Sequence, residues 1–269
     1  AAGARAAGTE VALVGVGAAP LQRRSSRFLA RRLADLADVL VLRDTGSAAC
    51  LREAGLAPPF RIGADPAWTL LDDVHPTRPR AGTLVALSHL AGEPDDLVTW
   101  LAAALWDLAS DGPITIQPWQ EGPGDAEVAD RLSAVLGERV EVLPPPPDLR
   151  TAATQLADRE VVVALRFHAL VAAAAAGTPV VALAHEPKLA SLAHRLGQPA
   201  VSPSESPRAL VEAVARARQR GPADPAAVGR ERRLAEDTLG LLRTYLDGGP
   251  APDATDLPAL ELEPSPWRR

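Results

Sequence analysis

The chain has 269 residues, 47% of them hydrophobic and 23% charged, with a formal net charge of −6. These proportions exclude wholesale disorder, a collagen-like repeat and a disulfide scaffold, and the acidic balance excludes a global basic field for nucleic acid. One cysteine, Cys50, can form neither an internal disulfide nor a thiolate-rich metal site, which fits a reducing, cytoplasmic setting.

Short β-rich apolar runs alternate with longer helical patterns along the chain. No apolar h-region opens it. Strands are expected at 11–16, 39–42, 60–62, 84–87, 114–116, 140–143, 161–165, 180–183 and 200–201. Helices are expected at 25–36, 46–54, 95–110, 125–136, 149–158, 168–176, 188–196, 210–218 and 227–246. Near-continuous apolar strands separated by helices predict an α/β fold with parallel sheets covered on both faces. The run 161–184 is long enough to span a bilayer. Arg166 and His168 sit inside it, however, and Gly177-Thr178-Pro179 divides it, so it reads as strand, helix, turn and strand. No transmembrane segment is expected.

The polar, proline-bearing segment 73–82 is the expected linker. It separates a first Rossmann-like domain at 1–72 from a second at 83–220. A closing helix at 221–247 and a disordered Pro- and acid-rich tail at 248–269 follow. Only three strands precede the linker, a thin sheet for an independent domain. Methionine is absent even from position 1. Together these predict a first domain truncated at its N-terminus.

Ligands of open α/β sheets bind beyond the carboxyl ends of the strands. The residues there are Gly15 and Gly17, Arg43 and Asp44, Asp65, Ser88 and His89, Trp119 and Gln120, Arg166 and His168, then His185, Glu186 and Lys188. Arg166 and His168 stand where a buried strand gives way to a helix, whose N-terminus offers backbone N–H groups and a positive dipole end. Lys188, the one lysine of the chain, repeats that placement after the next strand. The two together predict a doubly cationic pocket for phosphate or carboxylate, with His168 as acid or base. Taken singly, an Arg or His at a strand end is more often a surface or capping residue; the conjunction favours function. Gly15–Gly17 lacks a third glycine and is explained by a tight turn, and Asp44 or Thr45 by an N-cap. His75 and His194 read as solvated. No metal-ligand spacing, P-loop or nucleophile elbow is present.

The segments LVLRDTGSAACLREAGL, GADPAWTLLD, PWQEGPGD and VVVALRFHALVAAAAAGTPVVALAHEPKLASLAHRLG, in that order, resemble the polysaccharide pyruvyl transferase family, CsaB type. The resemblance implies two Rossmann-like domains similar to those of GT-B glycosyltransferases. It also implies transfer of a pyruvyl group from phosphoenolpyruvate to a sugar of a cell-wall polysaccharide precursor, as a ketal, with release of phosphate. No metal or organic cofactor is implied. Arg166 and His168 match the family's R-L-H-A motif, Lys188 its D-P-K, Arg43 its R-D-x-x-S and Asp65 its A-D-P-A. Phe167 stands where Leu is usual and Glu186 where Asp is usual, and Ser88-His89 stand where members often carry a basic residue. The family's G-D-E and G-G-G segments, which would precede position 11, are not in the sequence. The implied roles are catalysis for His168, Lys188 and Arg166, and substrate binding for Arg43, Asp65, Gly17 and Gln120. Of Trp68, Trp100, Trp106 and Trp119, most read as core residues; Trp119, which follows a strand end, is the one for which stacking on a sugar stays open. The implied partners are phosphoenolpyruvate and a sugar or polysaccharide-precursor acceptor. A lipid-linked acceptor would add peripheral membrane contact. Two alternatives stay open: a nucleotide-sugar glycosyltransferase of GT-B architecture, and a non-catalytic anion-binding remnant.

Overall fold

The structure, a computed structural model, describes residues 7–18, 21, 23–55, 60–89 and 94–249. Of the tail expected at 248–269, residues 250–269 lie outside the described residues. The chain divides into two compact units, Ala1–Thr69 with Gly229–Arg269, and Leu70–Val228.

In the first unit, β1 (Ala12–Val16), α1 (Arg24–Leu36), β2 (Val39–Leu42), α2 (Thr45–Glu53) and β3 (Arg61–Ile62) lead into a 3-10 turn at Pro66–Leu70. The strands pair in parallel in the order β1-β2-β3. All four residues of β2, Val-Leu-Val-Leu, are buried, as a strand covered on both faces requires. Leu40, Leu42, Ala48 and Leu51 form the core here. Asp44 caps α2, its carboxylate accepting from the Ser47 backbone N–H at 2.6 Å.

The second unit runs β4 (Thr83–Ala86), α3 (Pro94–Leu108), β5 (Ile114–Gln117), α4 (Pro123–Leu136), β6 (Val140–Val142), α5 (Leu149–Ala157), β7 (Val161–Ala164), α6 (Phe167–Ala175), β8 (Val180–Leu183), α7 (Pro187–Arg195), β9 (Ala200–Val201) and α8 (Pro207–Arg220). Its strands are all parallel, in the order β6-β5-β4-β7-β8-β9. The chain therefore winds outward in one direction from β4 and in the other from β7. The gap between the loops that follow β4 and β7 is the topological switch point of the sheet, where ligands of such folds bind. Strands β4, β5, β7 and β8 are buried at every residue. Burying one of their Val or Leu side chains contributes about 1.5–3 kcal/mol. The alanine run of α6 is buried throughout 172–174, which lets the helix pack closely on β7, β8 and α5.

Helices α3, α4, α7, α8 and α9 (Pro225–Leu246) all begin at proline, one to three residues before the positions expected from apolar periodicity. Proline is favoured at the first helical position because its missing N–H would have had no intrahelical partner there. Helix α9 starts in the second unit and continues in the first. There Gly63, just after β3, leaves room for the Thr238 hydroxyl, into which a Cβ would collide.

The segment 73–82 is tied to the second unit. Asp158, at the end of α5, accepts from the Thr77 N–H at 2.7 Å, the Thr77 hydroxyl at 2.9 Å and Arg78 Nε at 3.0 Å. Arg80 donates to the Gly177 carbonyl at 2.6 Å. Among the described residues no helix is long and apolar enough to cross a membrane.

Candidate functional site

At the switch point of the second unit, three loops converge on one carboxylate. Asp125 lies in the first turn of α4, and its side chain is fully buried. Its Oδ1 accepts from the His89 backbone N–H at 2.9 Å and from His89 Nδ1 at 2.7 Å. Its Oδ2 accepts from the backbone N–H groups of Trp119 at 3.2 Å and Gln120 at 3.1 Å. Arg166 Nη2 donates to both oxygens, at 2.8 and 2.9 Å. Arg166 Nε donates to the Leu87 carbonyl at 3.3 Å. The loops after β4, β5 and β7 are thus fixed to one another. Burial raises the Asp125 pKa, but the hydrogen bonds from His89 and Arg166 and the guanidinium charge outweigh it, leaving the carboxyl below its ordinary value.

Gly124 is part of this arrangement, since a Cβ there would sit 2.7 Å from Cγ and Nδ1 of the His89 ring. The ring lies against the first turn of α4 because nothing stands between them. With Nδ1 donating to Asp125, the other ring nitrogen is the one available for proton exchange. The His89 side chain is 37% exposed.

Arg166 is the N-cap of α6, and His168 is the second residue of that helix. His168 is exposed and its ring meets the Phe167 ring edge-on, at 5.8 Å between centroids. Lys188 is the second residue of α7, and its ammonium pairs with Glu186, the N-cap of the same helix. Neither Arg166 nor Glu186 caps its helix through its side chain. Helices α6 and α7 therefore keep their positive dipole ends at the carboxyl edge of β7 and β8, which pair in register. His185, after β8, donates from Nε2 to the Leu165 carbonyl at 3.0 Å. Gln120 and Trp119 are held by their backbone N–H groups, and Gln120 is exposed.

The first unit has its own cluster at the ends of β1, β2 and β3. Arg43 Nε donates to Asp44 at 3.3 Å and Nη1 to Asp65 at 3.4 Å. Asp65 also accepts from the Ala67 N–H at 3.0 Å, fixing the turn that buries Trp68. Gly17 lies directly against the guanidinium, and a Cβ there would fall 2.5 Å from Nη2. Ser47 Oγ accepts from the Ala18 N–H at 3.0 Å, holding the β1 loop to α2. Gly17→Ala is expected to shift the Arg43 guanidinium and, because Gly17 is exposed and only the mobile end of a side chain must move, to change stability by about 1 kcal/mol or less. Urea denaturation of the variant beside the parent protein measures this.

The structure thus brings Gly17, Arg43 and Asp65 together in one unit. It places Arg166, His168, Lys188 and Gln120 at strand ends of the other. It also changes the expected electrostatics. Arg166 and Lys188 are expected from the sequence to make a doubly cationic pocket, and in the structure each has a carboxylate partner, Asp125 and Glu186 respectively. A half-buried guanidinium is retained where a carboxylate compensates its lost hydration. Asp125 is the residue that strand-end reasoning missed, because it lies in a helix rather than directly after a strand. Its signal was the Pro123-Gly124-Asp125 sequence, a helix start with a small residue beside an acid.

The sequence profile of the family described as polysaccharide pyruvyl transferase matches residues 1–187. No curated protein matches the chain. Solved structures similar to it include the UDP-GlcNAc 2-epimerase of Methanocaldococcus jannaschii in complex with UDP-GlcNAc and UDP. That likeness has a TM-score of 0.59 at 14% identity and covers 88% of this chain and 71% of that one. The S. aureus MnaA–UDP co-structure is similar with a TM-score of 0.63 at 16% identity, over 92% of this chain and 72% of that one. Anabaena HepE in complex with UDP-glucose gives 0.56 at 16% identity, over 88% and 74%. At these identities the likeness concerns the fold, which is Rossmann-like α/β of the GT-B kind, as expected from the sequence.

Proposed function

Because the chain belongs to the polysaccharide pyruvyl transferase family, we propose that it moves the pyruvyl group of phosphoenolpyruvate onto a sugar of a cell-wall polysaccharide precursor, in the manner of CsaB-type members. The product is a cyclic ketal and the leaving group is phosphate. The observation that carries this reading is Arg166, oriented by a buried carboxylate at the switch point, with His168 two residues away on α6.

Phosphoenolpyruvate carries a phosphate and a carboxylate, so it needs donors of fixed direction. Arg166 and Lys188, with the dipole ends of α6 and α7, supply them. Charge that develops on the departing phosphate is stabilised by the same groups, without reorganisation, because Asp125 already holds Arg166 in place. His168 gives a proton to the enol methylene, which becomes the ketal methyl group. One sugar hydroxyl then adds to the central carbon of the pyruvyl unit and a second displaces phosphate from it. Of the two protons that the hydroxyls release, one restores His168 and the other leaves with phosphate. In the first unit, the cluster of Arg43, Asp65 and Gly17 is assigned to substrate binding, as is Gln120 in the second. A lipid-linked acceptor would put the reaction at the cytoplasmic face of the membrane, a nucleotide-linked one in the cytoplasm.

The test is phosphate release from phosphoenolpyruvate in the presence of polysaccharide acceptor, with the ketal methyl group followed by proton NMR. Release that requires both substrates is expected. Release of nucleoside diphosphate from a sugar nucleotide, with phosphoenolpyruvate inert, would establish a glycosyltransferase on this fold instead, since a fold does not fix a function.

A further inference from the structure

Helix α1 of the first unit is mounted with its large apolar side chains outward. It turns Ala34 and Ala30 onto the core formed by Leu40, Leu42 and Leu51. Phe28, Leu29 and Leu33 point to solvent, 62%, 59% and 46% exposed. A helix that serves only its own core carries its larger apolar residues inward and polar ones outward, so this face asks for another explanation. Around it stand arginines at 23, 24, 27, 31 and 32, all exposed, with Asp35 as the acid on the helix surface, paired to Arg31 at 3.8 Å. The chain as a whole is acidic, at −6, so this concentration of positive charge is local.

We propose that the outer face of α1 is a docking surface for an anionic membrane. Two features select that occupant over a protein partner. The apolar side chains are flanked by arginines, whose stems can lie along acyl chains while the guanidinium groups reach phosphate oxygens. Phe28, Leu29 and Leu33 also form an exposed strip with one acid, Asp35, among the arginines, so little along the helix repels anionic lipid. A strip of this kind enters the boundary between headgroups and acyl chains to a shallow depth, held by apolar burial and by attraction to anionic lipid together. The proposal gives a surface to the membrane contact implied by a lipid-linked acceptor. It stands on α1 alone and is read without substrate, so its failure leaves the transfer reaction untouched, and the reverse also holds.

The experiment is co-sedimentation of the full chain with sucrose-loaded vesicles, either of phosphatidylcholine alone or of phosphatidylcholine with phosphatidylglycerol. Binding to the anionic vesicles is expected, weak or absent on the neutral ones, and reduced as salt is raised. The variant Phe28→Ser/Leu29→Ser/Leu33→Ser is expected to lower the partition coefficient roughly tenfold or more, with its thermal unfolding unchanged because these side chains are exposed. Should that variant unfold, Arg24→Glu/Arg32→Glu tests the electrostatic half by itself and is expected to lose the preference for anionic lipid. Equal binding to both vesicle types, or no binding to either, overturns the proposal. So does concentration-dependent self-association in sedimentation velocity that the serine variant abolishes while vesicles stay unbound, which would assign the face to a second copy of the chain.

Discussion

Asp125→Ala is expected to destabilise the second unit by about 3–5 kcal/mol, the loss typical when one partner of a buried ion pair is removed. The variant leaves Arg166 half-buried without its counter-charge and releases the backbone N–H groups of His89, Trp119 and Gln120. Urea denaturation followed by circular dichroism measures the change, and phosphate release reports the accompanying loss of turnover. The effect on pH dependence has a definite sign. The Asp125 carboxyl titrates below its ordinary value in the folded protein, because hydrogen bonds from His89 and Arg166 and the adjacent positive charge outweigh the opposing effect of burial. The stabilisation it gives is therefore complete above the unfolded carboxylate value of about 3.9 and disappears as pH falls through the lower folded value. Asp125→Asn keeps the shape and removes the titration. It should flatten the acid side of the stability profile and lower the plateau. An unchanged plateau in Asp125→Asn would mean that the carboxylate charge does not organise the three loops.

His168→Gln is expected to lower kcat roughly 10²- to 10⁴-fold, the range for loss of a positioned acid or base. The KM for phosphoenolpyruvate should change little, because glutamine keeps a donor of similar reach. Thermal stability should be unaltered, since His168 is exposed and the core of α6 is made by Ala169, Leu170 and the alanines that follow. Steady-state phosphate release with saturating acceptor separates the two parameters. A variant with full kcat would move the proton-transfer role elsewhere, and His89, with its ring fixed by Asp125 and its side chain partly exposed, is the group to examine next.

The layers of this fold were legible because they rest on local patterns. The runs Val161–Ala164 and Val180–Leu183 are too apolar to face water on either side, and glycine or proline punctuates the chain between them. Helix starts were displaced where proline occupies the first turn, since apolar periodicity begins only after it. The strand-end rule placed Arg43, Arg166, His168 and Lys188 just beyond strands, where the structure has them, because the end of a strand is a local property of sequence. What local reading could not supply was who opposes each charge. Asp125 meets Arg166 across 41 positions of sequence, and only the order in which strands lie side by side makes them neighbours. Glu186 was visible near Lys188, but it read only as the residue standing where the family usually has Asp. Its side chain turns to the ammonium. The contact between Gly17 and Arg43 had the same obstacle. A glycine in a G-x-G turn is explained by backbone freedom alone, and nothing in the sequence reveals that a guanidinium from the next strand lies on it.

The carboxylate of Asp125 grips residues 119 and 120 by the main chain, not by what they display. Their identities can therefore drift while the scaffold beneath stays put. Under the proposed transfer, with these two side chains facing the sugar, exchanging Trp119 and Gln120 would retune acceptor preference while leaving the main-chain anchor intact.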